Sequence, residues 1–111
     1  MPHEEIDPRR IETRPLAERE DLIDIRRAAA DPDGPPPDAD GLRASIERMA
    51  EAVVAARRRG AAVILAYGAH LVKNGGGPVV NRLLAGGWLT HLATHGAGII
   101  HDWEFAYRGT S

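Results

Sequence analysis

The sequence holds no cysteine, which removes disulfides, thiolate metal sites and cysteine nucleophiles together. Its only serines are Ser45 and Ser111, and no Ser-His-Asp arrangement is visible, so a nucleophilic hydrolase is disfavoured. Lys73 is the single lysine. The remaining positive charge is arginine, mixed with acids along the first half, and the net charge of -2 leaves no one-signed stripe for nucleic acid or an anionic membrane. No apolar run approaches the roughly 18 residues of a membrane span, and the charged start carries no targeting pattern. The expectation is a soluble, cytoplasmic chain with neither nucleic-acid nor membrane partners.

What is present is unevenly spread. Residues 1–40 are rich in charge, with Ile11, Leu16, Leu22, Ile23 and Ile25 as scattered apolar points and a short helix expected over about 17–29. The stretch DPDGPPPDAD at 31–40 combines four prolines with acids and a glycine, so neither helix nor strand continues through it. Residues 1–40 therefore read as an arm and linker that adds little to a core. Over 41–59, Leu42, Ile46, Met49, Val53 and Val54 recur at helical spacing with Arg43, Glu47, Arg48, Glu51 and Arg57 opposite, which predicts an amphipathic helix. Arg57, Arg58 and Arg59 suit its negative end, and Gly60 follows as the residue just past it.

The run AAVILAY at 61–67 is continuously apolar and of strand length, as for a strand covered on both faces. A glycine-rich loop, GAHLVKNGGG, is expected over 68–77, and Pro78 opens a helix with Val79, Val80, Leu83 and Leu84 on its apolar face until Gly86 and Gly87. WLTHLAT at 88–94 is the second strand, HGAG at 95–98 the second loop, and 99–107 a helix with Ile99, Ile100, Trp103 and Tyr107 as its apolar side. The fold expected for 41–111 is thus α/β, a partial Rossmann-like parallel sheet in strand-helix-strand-helix order with a right-handed crossover. It is preceded by the amphipathic helix and the irregular arm.

Both glycine-rich loops leave a strand and enter a helix, so they lie side by side on the sheet edge where open α/β folds bind ligands. Helix N-termini offer unsatisfied N–H groups there, and glycine lets a phosphate come close to the backbone. Neither loop matches GxGxxG or the phosphate loop ending in GK[ST], and the glycines could equally be plain turns. His70, His91, His95 and His101 form a second concentration. A metal site on His70, His95, His101 and Asp102 is the alternative, but His101 and Asp102 are about 100° apart on a helix rather than one turn apart. His70, His95 and His101 are explained more simply as polar groups lining a ligand edge, and no metal is expected.

The segments LAYGAHLVKNG and THLATHGAGIIHDWE resemble the amino-terminal, nucleotide-binding part of the deoxyhypusine synthase family, and more closely its bacterial relatives. The likeness runs over about 11–111, with specific motifs only from Val63 onward. In that family one strand enters a loop of the form SNLISSG, the next enters TTAGG, both loops contact NAD, and acids after the second bind a polyamine. The resemblance implies NAD contacts at Ala69, His70, Asn74, Gly75, Thr94, His95, Gly96, Ala97 and Gly98, with His101 and Asp102 facing substrate. In this scheme Gly75, Gly96 and Gly98 admit the pyrophosphate, while Asn74, Thr94 and His95 hydrogen-bond to it or to ribose.

The departures are specific. His70 stands for the family's asparagine, Lys73 and Asn74 for its serine pair, and Ile100 and His101 for the two acids before Asp102. The family's catalytic lysine lies beyond the matched region and Lys73 does not match it, so no catalytic residue is assigned. An NAD-binding portion of a longer protein, inactive alone, is the expectation, with aminoalkyl transfer as the reaction of the completed protein. Two strands cannot hide their own edges, so a second copy or another chain is expected to complete the sheet. The rivals are a non-catalytic assembly module and a metal-dependent hydrolase fragment.

Overall fold

Short-range hydrogen bonds to aspartates recur along the described part of residues 5–40. In the computed structural model, which describes His3 and residues 5–111, Asp7 caps a single 3-10 turn, Pro8–Arg10, by accepting from the Arg9 amide at 3.0 Å. A second such turn spans Leu16–Glu18. The helix expected over 17–29 shrinks to the one turn of α1, Ile25–Ala28, capped by the Asp24 carboxylate. The cause is tertiary. The amides of Leu22 and Ile23 donate to the Ser111 carbonyl, the Ser111 amide donates back to Ile23, and Asp24 bridges antiparallel to Thr110. An amide given to this pairing is not available to a helix.

After the proline-rich stretch, a 3-10 turn at Asp40–Leu42 leads into α2, Arg43–Arg58, close to the span expected from its periodicity. Its end is a Schellman motif: the Gly60 amide donates to Arg57 and the Ala61 amide to Ala56, with Gly60 at φ 68°. Strand β1, Ile64–Tyr67, then pairs parallel with β2, His91–Thr94, in the register Ile64 to His91 through Tyr67 to Thr94. Both strands are shorter than the apolar runs that contain them. Ala61 is spent on the helix end, and the Thr90 hydroxyl and amide engage Val63 just before the ladder begins.

Between the strands lie α3, Ala69–Lys73, and α4, Gly77–Ala85; α5, Gly96–Arg108, follows β2. The chain is therefore α/β, with a two-stranded parallel sheet and its helices in the expected order. Two details differ from expectation. Residues 69–73 are helical rather than loop because Ala69 and Val72 bury one side of α3, which packs on α5. Residues 96–98 are the first turn of α5, since Gly98 is buried against the end of β2.

The helices lie on one face of the sheet only, and even there Leu92 stays 42 % exposed. Tyr67 and Leu92 share that face with Leu71, Val72 and Val80 around a small cavity. Ile64, Ala66, His91 and Ala93, which point the other way, are all exposed. The expectation of strands covered on both faces is not met within one chain. Only Ala56, Ala69, Val72, Val80 and Phe105 are buried apolar residues among those described, and none is sealed completely. The radius of gyration, 18.7 Å, far exceeds the roughly 13 Å of a compact domain of this length.

Candidate nucleotide edge

The two strands end level with each other, at Tyr67 and Thr94, and each runs through one capping residue into a helix. The Thr94 hydroxyl donates to the Tyr67 carbonyl at 2.9 Å and ties the two ends together. Gly68 caps α3 and His95 caps α5, with no side-chain hydrogen bond at either cap. The two caps are close: a methyl group on Gly68 would sit 3.3 Å from Nε2 of His95. Helix α5 is long enough to have a developed N-terminus, and its first amides, Gly96 and Ala97, have no partner within the helix. Beside Gly96 a methyl group would meet nothing within 4 Å, so the backbone there is open to an approaching group.

Not all the residues expected at this edge are there. Thr94, His95, Gly96 and Ala97 are exposed along it, and His70 is exposed in the first turn of α3. Ala69 is buried beneath them. Gly98 is also buried, where a methyl group would strike the Thr94 hydroxyl, so it lets helix and strand close up rather than admitting a ligand. Asn74 and Gly75 lie at the far end of α3. Gly75, at φ 78°, turns its bare side to the backbone of Ala28 and Ala29, and its carbonyl accepts from the Ala30 amide at 2.9 Å. The close approach foreseen for a pyrophosphate at Gly75 is made by the chain's own arm.

The substrate-facing pair separates too. His101 is half-buried, its Nδ1 3.0 Å from Glu104 and 3.1 Å from the Ser111 hydroxyl, within the contact between α5 and the arm. Asp102 stays near the edge, bordering a cavity of about 150 Å³ with Tyr67, Leu71, Asn81 and Leu92. Among the described residues no three of His, Asp and Glu come together as a cation cage, so His70, His95, His101 and Asp102 form no metal centre.

The densest polar cluster is one that local sequence patterns do not reveal. Arg19 donates to Asp21 at 2.8 Å and to Glu104 at 2.6 Å, while Arg108 and Thr110 both donate to Asp21, at 2.8 and 2.6 Å. The Thr110 hydroxyl, then Arg108 and Arg19, hold the Asp21 carboxyl well below the usual carboxylate range. Glu104 is held at about 2, first by the Ser111 hydroxyl and then by Arg19, against the cost of desolvation. Its partners lie some 85 residues apart in the chain, so no local pattern could announce it. Arg82 extends the attachment of the arm by pairing with Asp33.

No family model, curated protein or solved structure matches this chain. No helix among the described residues is long and apolar enough to cross a membrane.

Proposed function

We propose that the chain is a partial nucleotide-binding unit, with NAD as its ligand along Thr94, His95, Gly96 and Ala97. The observation that supports this is the level ending of two parallel strands, each entering a helix, with an unobstructed Gly96 at the first turn of the longer one. A phosphate at the Gly96 and Ala97 amides would meet the positive end of α5, and Thr94 and His95 flank that position as hydrogen-bonding groups. The likeness of the two strand-end segments to deoxyhypusine synthases points the same way. It implies that aminoalkyl transfer with hydride leaving and returning through NAD belongs to a longer or multichain protein in the cytoplasm. Chemistry is not assigned to any residue of this chain.

The test is calorimetric titration with NAD, NADH and ADP-ribose up to millimolar ligand, on the wild type and on Gly96→Val. The substitution has room in the fold, so it should leave the melting curve unchanged and weaken binding at least tenfold. Equal binding by the two proteins, or none by either, overturns the nucleotide reading.

A second reading, an assembly module, is favoured by a separate observation: one sheet face is bare and the chain is much more extended than a self-sufficient domain. Sedimentation at known concentration tests it, with a dimer or larger species as the expected result.

A further inference from the structure

Helix α2 stands off the body of the molecule. Residues 43–52 are all exposed, and burial begins only at Val53, Val54 and Ala56 near its end. Leu42, Ile46 and Met49, aligned at spacings of four and three, are 63, 46 and 62 % exposed. The helix exit is held by the Gly60 and Ala61 hydrogen bonds to Arg57 and Ala56, and the Arg57 guanidinium lies against Gly87. An amphipathic helix of 16 residues gains most of its stability from covering its apolar side, and here that side is uncovered.

The same chain holds the matching vacancy. A parallel sheet is stable with helices on both faces. Here α3, α4 and α5 lie on one, and the other presents Ile64, 62 % exposed, with Ala66, His91 and Ala93 beside it. Two alanines paired across the strands leave a low surface on which a helix ridge can lie. We propose that α2 of one molecule docks on the bare sheet face of a second copy, reciprocally, so that each copy supplies the other's missing layer. This rests on the assembly reading and is independent of nucleotide binding.

The area fits a dimer. The exposed parts of Leu42, Ile46 and Met49 amount to nearly two whole side chains, about 250 Å² of apolar surface. With about 200 Å² on the strands, reciprocity gives about 900 Å², and with a polar rim about 1,400 Å² in total, within the range for specific association. Pairing of α2 with α2 is the weaker candidate, because a two-stranded coil needs about three to four heptads and this helix has two.

The absence of native cysteine makes cross-linking clean. Full-length Met49→Cys and Ala93→Cys proteins, each altered at an exposed position, are mixed at tens of micromolar and oxidised with diamide. Docking in trans predicts a mixed disulfide dimer in several-fold excess over either homodimer. In sedimentation, Ile46→Glu should weaken the dimer at least tenfold with an unchanged helical signal. A dominant Met49→Cys homodimer would mean that α2 pairs with itself. An intramolecular disulfide in a chain that carries both Met49→Cys and Ala93→Cys would mean that the helix folds onto its own sheet. Either outcome overturns the proposal, as does a dimer that forms no cross-link at all, which would leave the assembly reading standing. A wild-type monomer at these concentrations sinks both.

Discussion

Gly75 and Gly96 make a paired test of where the backbone of this protein is crowded and where it is open. At Gly75 an alanine must hold φ near 78°, which costs about 1–2 kcal/mol for a residue with a side chain. Its methyl group would also overlap the Ala28 carbonyl and approach Ala29, both backbone atoms that no rotamer change can move aside. The arm must then lift, and the hydrogen bond from Ala30 to Gly75, worth about 1 kcal/mol, goes with it. Gly75→Ala should therefore cost about 3 kcal/mol, a large share of the roughly 5–15 kcal/mol that holds an ordinary domain together. At Gly96 the same substitution meets open space in right-handed backbone and should be neutral, or stabilising by up to about 1 kcal/mol. Urea unfolding of the two variants at equal protein concentration measures the difference, and limited proteolysis within 31–40 reports whether the arm has come away. If Gly75→Ala unfolds at the wild-type midpoint and its arm is cut no faster, the packing of 28–30 on Gly75 is not as described.

Acid should loosen the contact between α5 and the arm. Glu104 is held at about 2 against an ordinary value of 4.5, so its contribution is fully present above pH 4.5 and is lost as pH falls from 4.5 towards 2. The urea midpoint of the wild type should fall more steeply through that window than that of Glu104→Gln, and parallel curves would remove Glu104 from the explanation. Gly98→Ala drives a methyl group onto the Thr94 hydroxyl and should cost about 1–3 kcal/mol. Because Thr94→Ala removes the obstruction while giving up the bond to Tyr67, the double variant should be more stable than the sum of the two losses, and strict additivity would argue that the residues do not touch.

The sequence by itself determined the features that rest on neighbours within a few turns. The 3–4 spacing of Leu42, Ile46 and Met49, with arginines and Gly60 at the end, specified α2 nearly to the residue. The two apolar runs split by a proline-opened helix specified a parallel α/β unit, since a strand-helix-strand order permits little else. The strand-to-helix junction at Thr94 and His95 was legible for the same reason, as glycines and polar residues between a strand and a helix, but the helix expected from 99 starts at Gly96. Only the tertiary structure decided which glycines face out. Gly75 and Gly98 look like Gly96 in the sequence, yet one is covered by Ala28, distant in the chain, and the other by Thr94, four residues before it, which meets it because α5 already begins at Gly96. The fate of residues 17–24 was likewise set from a distance, by Ser111, Glu104 and Arg108, because hydrogen bonds to groups some 85 residues away outcompeted a short helix, whereas His101 is turned from the edge by near neighbours, Glu104 and Ser111.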